Sequence, residues 1–218
     1  MPDINNSIVF TTEESAIVKL KSVDENFTYT NWGDEDLLGL RSAIRRFYRS
    51  EQVGICSYCR GQVSISSAAN CHVEHIVPKS LYIDFIFEEK NFCVICADCN
   101  TIKRDQETTG DVPDTVVNGK KRKQYPRSSN AFHIVHPHFD NWNDHIELFE
   151  VFYVDKTAKG HFTIGACVLN RRLREFGWEK EITDYVQFTE LATKLLDSKN
   201  PIEQMDVLKK FRRLLISI

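Results

Sequence analysis

The sequence has no apolar run approaching the roughly 18–20 residues of a membrane-spanning helix, which excludes a helical membrane protein. It has no internal repeat and no low-complexity tract, so neither a solenoid nor a mainly disordered chain is expected. It has no excess of positive charge. Lys and Arg number 28 against 31 Asp and Glu, a formal charge of −3 over 218 residues. A bulk positive field that would coat nucleic acid is therefore excluded, and any such contact must come from local basic patches. The polar opening Met1-Pro-Asp-Ile-Asn-Asn-Ser7 does not read as a signal peptide, so cytoplasm is the expected compartment and a membrane partner is not expected. Hydrophobic residues at 42 % and aromatics at 11 % are the proportions of a chain that buries a globular core.

Against these absences stand seven cysteines. In a reducing compartment, clustered cysteines serve metal binding or catalysis more often than disulfides. Four fall into two identical spacings, Cys56-Ser-Tyr-Cys59 and Cys96-Ala-Asp-Cys99. Two such pairs supply four thiolates, the number and type that tetrahedral structural zinc takes, and they leave no open position for water or substrate. The remaining Cys71, Cys93 and Cys167 are isolated.

The expected fold class is α+β. From Asp34 the apolar residues Leu37, Leu40, Ile44, Phe47 and Tyr48 recur at helical steps behind an acidic first turn, which predicts a helix near 34–51 within an N-terminal segment 1–53. The second Cys pair leads into Asn100-Thr-Ile-Lys-Arg104, the opening of another helix. Residues 106–130 are polar, punctuated by Gly and Pro, and carry Lys120-Lys-Arg-Lys123; they read as a basic linker. In the C-terminal region 131–218, Glu147–Val154 and His161–Val168 are expected as the strands of a β-hairpin around 155–160. Helical periods follow at Ile182, Tyr185, Val186, Leu191, Leu195 and Leu196, and again from Val207 to Leu215.

Between the Cys pairs lies Glu74-His-Ile-Val-Pro-Lys79, then Asn91, and after the second pair Asn100 and Lys103. A carboxylate beside an imidazole places two unlike groups on adjacent residues. Neighbours on a strand point to opposite faces, so both reach one phosphate only where the strand bends, and Pro78 is compatible with a bend. An amide oxygen at Asn100, on the first turn of the helix, suits a hard cation shared with Glu74.

From Gly54 to Asp105 these elements, in this order, resemble the HNH endonuclease family, the zinc-stapled branch of the ββα-metal nucleases. The resemblance implies a nuclease core over 54–105 that hydrolyses DNA phosphodiesters. It implies His75 as general base, Glu74 and Asn100 as ligands of one divalent ion such as Mg2+, and Asn91 as a brace for the loop that orients the imidazole. Cys56, Cys59, Cys96 and Cys99 are then the structural zinc ligands. One such centre cuts one strand, so a homodimer is a possible arrangement for double-strand breaks. The layout is similar to that of small HNH subunits of prokaryotic anti-phage defence, which implies an ATPase or sensor partner. The alternative is a zinc-stapled nucleic-acid-binding or scaffold protein without catalysis.

Basic residues flank this stretch. Arg41, Arg45 and Arg49 step by four along the first helix, Lys121 and Arg122 lie in the linker, and Lys103 stands one turn beyond Asn100. All are candidates for phosphate contacts, which position a duplex without reading its sequence. His133, His136, His138 and His145 follow no zinc spacing, with Pro137 preventing a helical pair, and are expected as a packed loop around Phe139 and Trp142.

Overall fold

Val73, Ile76 and Val77 on either side of the Glu74-His75 dipeptide, and the wholly apolar run Phe92-Cys-Val-Ile95, give the chain two short strands to bury against each other. In the computed structural model, β1 (His72–His75) pairs antiparallel with β2 (Phe92–Ile95), with Glu74 opposite Cys93 and His75 opposite Phe92. All four residues of β2 are buried, as an apolar strand covered on both faces must be. The structure describes residues 2–119, 122–149, 152–176, 190–191, 193–194, 197–198 and 200–217.

Helix α1 (Thr12–Ser22) opens with a capping box in which Thr11 and Glu14 each accept from the other's backbone N–H, and none of its residues is buried. Helix α2 (Leu38–Glu51) follows a single 3-10 turn, Glu35–Leu37. It buries Leu40, Ile44 and Tyr48, continuing the stripe begun at Leu37, so the apolar period read from the sequence is its core face. Val53 and Gly54 end it with φ of 52° and 71°. Helix α3 (Ala97–Thr109) starts inside the second Cys pair, with Cys96 as its N-cap, and stops at Gly110 in the left-handed conformation. The sequence β1–β2–α3 is thus strand, strand, helix, with α2 packed on the strands.

The chain divides into two compact units, one of Met1–Glu147 with Val154–Leu169 and the other of Leu148–Tyr153 with Asn170–Ile218. Residues 106–130, expected as an exposed linker, belong to the first unit. There Thr115, Val116 and Tyr125 are buried, and Val116 bridges Phe132. The polar composition concealed these three anchors.

The C-terminal hairpin forms almost wholly within the segment expected as its first strand, not around 155–160. β3 (Ile146–Phe149) and β4 (Phe152–Asp155) form a separate two-stranded sheet, while α4 (Ala158–Ala166) occupies most of the segment expected as the second strand. The Thr157 hydroxyl caps this helix by accepting from the Gly160 N–H, and Gly160, Thr163 and Ala166 form its buried face. That three-residue spacing is helical, and the β-branched residues around it had suggested a strand. A Cβ at Gly160 would overlap the His145 carbonyl oxygen, so only glycine lets this helix approach so closely.

In the second unit, Asn170 exchanges hydrogen bonds with the backbone of Tyr153, and α5 (Arg171–Phe176) follows. Helix α6 (Pro201–Ser217) begins with Pro at its first position and the Asn200 side chain accepting from the Glu203 N–H, an ordinary helix start. The period expected at Ile182, Tyr185, Val186, Leu195 and Leu196 lies outside the described residues. Among the described residues no helix is long and apolar enough to cross a membrane.

Candidate functional site

The four paired cysteines come together. The sulfurs of Cys56, Cys59, Cys96 and Cys99 all lie within 4.8 Å of one another, and all four residues are buried. Cys59 Sγ and Cys96 Sγ are 3.6 Å apart. A tetrahedral zinc site with Zn–S bonds of about 2.3 Å has sulfur–sulfur edges of about 3.8 Å, so the donor set fits a metal such as zinc. Local backbone shapes the first pair: Arg60 takes a left-handed φ of 60°, and the Cys56 N–H donates to the Gly61 carbonyl at 2.8 Å. A side chain at Gly61 would press on Cys59 Sγ at 3.3 Å. Burial pushes the Cys56 thiol up, a cost that a bound cation removes. The cluster ties the turn after α2 to the start of α3.

Beside it, Glu74, His75, Asn100, Lys103, Arg41 and Arg45 line one cleft of about 720 Å³, with Trp32, His72, Lys79, Arg104 and Glu107 also on its walls. The alternation that would separate Glu74 from His75 ends because His75 is the last residue of β1 and the chain bends at Ile76 and Val77.

The imidazole of His75 is held from several directions. Its Nε2 lies 3.0 Å from the Ile86 carbonyl. A carbonyl only accepts, so Nε2 carries the proton and Nδ1 keeps its lone pair. The ring meets Trp32 edge-on at 4.6 Å and Phe92 at 5.2 Å. Burial, reinforced by the Lys79 charge, pulls its pKa down to about 3, so it is neutral at any physiological pH.

Asn91 is fully buried. Its Oδ1 accepts from the Val77 N–H at 2.7 Å, and its Nδ2 donates to Val77 O at 3.1 Å and Phe85 O at 2.9 Å. The amide therefore clamps both ends of the loop that carries Ile86.

Glu74 is buried, with Oε1 3.2 Å from the Tyr58 hydroxyl and 3.5 Å from Lys103 Nζ. Burial raises its pKa despite the opposing Lys103 charge. For Lys103, burial is the largest influence and acts to lower the pKa, but the Glu74 carboxylate together with the Cys167 and Cys93 thiols turns the net direction upward. Lys103, expected at the surface facing phosphate, instead retains only 8 % of its exposure, and its Nζ has no close hydrogen-bond partner. One helical turn beyond Asn100 points inward here because α3 lays Cys99 and Lys103 on its buried face.

Asn100 is half-buried. Arg41 donates to the Trp32 and Asp34 carbonyls and Arg45 to the Cys71 carbonyl. Their helix face is thus tethered at the cleft wall rather than freely solvated, with guanidinium donors to spare. Arg122 lies elsewhere, lining a separate 350 Å³ depression with Tyr82 and Phe85; its Nε reaches the Val117 carbonyl at 3.4 Å. Lys121 lies outside the described residues.

Sequence reasoning missed three participants. The Tyr58 hydroxyl sits between two cysteines and gave no sign of reaching Glu74. Lys79 and Glu107 form an ion pair at 2.7 Å across the cleft wall; Lys79 was visible in the motif, but its partner lies 28 residues away. Trp32 reaches His75 from outside the Gly54–Asp105 stretch that carries the motif.

Of the other histidines, His136 and His138 are buried and His133 is exposed. Trp142 is buried and donates to the Tyr58 carbonyl at 2.9 Å. Among the described residues the four cysteines are the one group of three or more His, Cys, Asp or Glu side chains close enough together to hold a metal ion. The sequence matches no family model and no curated protein.

Proposed function

We propose that the protein is a metal-dependent endonuclease of the HNH type that hydrolyses DNA phosphodiester bonds, with His75 as general base. The observation that carries this reading is the shared cleft: Glu74, His75 and Asn100 line one cavity at the junction of an antiparallel strand pair and a helix, beside a four-cysteine group.

A cation of the Mg2+ class would be held by the Glu74 carboxylate and the Asn100 amide oxygen, hard donors of the kind it takes. When bound, it would neutralise charge on phosphate oxygens. His75 has the form a general base needs. With its proton fixed on Nε2 by Ile86, Nδ1 accepts a proton from water while the water oxygen bonds to phosphorus. The bond from phosphorus to the leaving oxygen breaks, and that oxygen takes up a proton. Arg41 and Arg45 supply positive charge along the wall for the flanking phosphates, in the way backbone contacts position a duplex.

A second reading has one observation in its favour. Lys103 and Tyr58 already engage Glu74, as they would in a zinc-stapled binding protein without catalysis. Incubation with labelled duplex, nicked and single-stranded oligonucleotides, with and without Mg2+, separates the two. Endonuclease activity gives internal cleavage only with the divalent ion. Binding without cleavage under all conditions assigns the scaffold role. A place in anti-phage defence, beside an ATPase or sensor, is part of the same proposal and rests on layout.

A further inference from the structure

We propose that Tyr125 and His136, from the segments that follow the strand–strand–helix stretch, are positioning residues for the His75 imidazole; this rests on the nuclease reading above. Both are buried, and a chain of hydrogen bonds with a defined direction joins them to the base. The His138 N–H donates to His136 Nδ1 at 3.3 Å, so the neutral His136 ring carries its proton on Nε2. That Nε2 lies 2.8 Å from the Tyr125 hydroxyl oxygen and donates to it. The single Tyr125 proton is thereby left for the Lys90 carbonyl at 3.1 Å and Asn91 Oδ1 at 3.3 Å.

Asn91 Oδ1 also receives the Val77 N–H, and the Asn91 amide holds the Val77 and Phe85 carbonyls. One residue beyond Phe85, the Ile86 carbonyl receives His75 Nε2–H. Reversing any one donor in this chain leaves a buried acceptor facing an acceptor, so the ordering from His136 to Asn91 fixes which way the amide faces. The tautomer of His136 is thus transmitted, through Tyr125, to the loop that orients the catalytic ring. Tyr125 meets Phe85 edge-on at 5.4 Å, so the same ring also packs against the loop it steadies. This gives residues 125–138 a part in the chemistry although none of them lines the cleft.

The test uses the full chain loaded with zinc. Tyr125→Phe retains the ring and removes the hydroxyl. His136→Gln keeps an N–H donor at the ring position, whereas His136→Leu removes it. The expected result is a kcat for DNA cleavage lowered about tenfold in Tyr125→Phe and His136→Leu, with KM unchanged and His136→Gln within about twofold of the parent. Exchange of the His75 Nε2 proton, followed by 15N-edited NMR, is expected to quicken about tenfold in the same two variants. Wild-type kcat and unchanged proton exchange in a folded Tyr125→Phe overturn the proposal. If the parent protein cleaves nothing, the nuclease reading fails, and the proton-exchange measurement still decides whether Tyr125 and His136 hold the ring. If Tyr125→Phe does not fold, the His136 pair decides: equal behaviour of Gln and Leu overturns the proposal.

Discussion

Replacing Asn91 by Ala tests the geometry of the site more sharply than removing a charged group. The side chain satisfies the buried Val77 N–H and the Phe85 and Val77 carbonyls, and it lies away from bulk solvent, Asn91 and Val77 both being 0 % exposed. Each orphaned group costs about 1–3 kcal/mol. At least two groups are orphaned, and the void left by the amide adds about 1 kcal/mol. The expected loss is about 3–7 kcal/mol, a large share of the roughly 5–15 kcal/mol that holds a domain folded. With a slope of about 2 kcal/mol per molar urea, the unfolding midpoint of the zinc-loaded protein moves down by about 1.5–3.5 M. Cleavage measured well below that midpoint falls about a hundredfold in kcat, since the loop carrying Ile86 no longer fixes the imidazole. Asn91→Asp keeps the acceptor for Val77 but turns a carboxylate on two carbonyls, and it is expected to lose stability as well. A midpoint within about 0.3 M of the parent would refute the bracing role.

Three further outcomes are expected. Atomic absorption finds one zinc per chain, and Cys99→Ser or prolonged chelation lowers the melting temperature by about 10 °C or more, because the metal joins the first Cys turn to α3; a metal-free protein with the same melting temperature contradicts this. Stability falls with acid. Burial holds His138 down to about 4 and His136 well below its ordinary 6.5, so unfolding takes up protons and the stability present above pH 6.5 is lost as pH falls toward 4. His138 alone contributes a loss of about 1.5 kcal/mol between pH 6.5 and 5, and His136 adds to it in the same direction; urea midpoints across that range would detect the loss, and a flat profile would refute it. Lys103→Met leaves Glu74 charged and buried and costs about 3 kcal/mol. Adding Glu74→Gln recovers most of that loss, and strict additivity of the two changes would show that the pair is not coupled.

What the sequence made legible was whatever is encoded locally. The stripe Leu37, Leu40, Ile44 and Tyr48 announced α2 because a helix buries residues at that step. The matched Cys spacings announced the sulfur cluster because a tight turn brings each pair together. Of the residues in the shared cleft, Glu74, His75 and Asn100 were legible as an order of residue types along the chain. What could not be read was set by distant partners. Lys103 looks like an exposed lysine until Glu74 and Tyr58 stand beside it, and Glu107 acquires a role only through Lys79. The segment 106–130 is polar on average, yet Thr115, Val116 and Tyr125 are enough to seat it. The strand expected at 161–168 yielded to a helix because Thr157 supplies a cap and Gly160 a close approach, two features that β-propensity does not weigh.

Nicking of supercoiled plasmid in the presence of Mg2+, by the parent and by His75→Ala at equal bound zinc, bears most directly on the proposed activity. The expected result is conversion to open circles by the parent, no conversion when Mg2+ is omitted, and none by His75→Ala, while both proteins melt cooperatively. Plasmid left intact by a zinc-loaded, folded parent, or cut equally well by His75→Ala, would contradict the assignment of the Glu74–His75–Asn100 cleft as a hydrolytic centre.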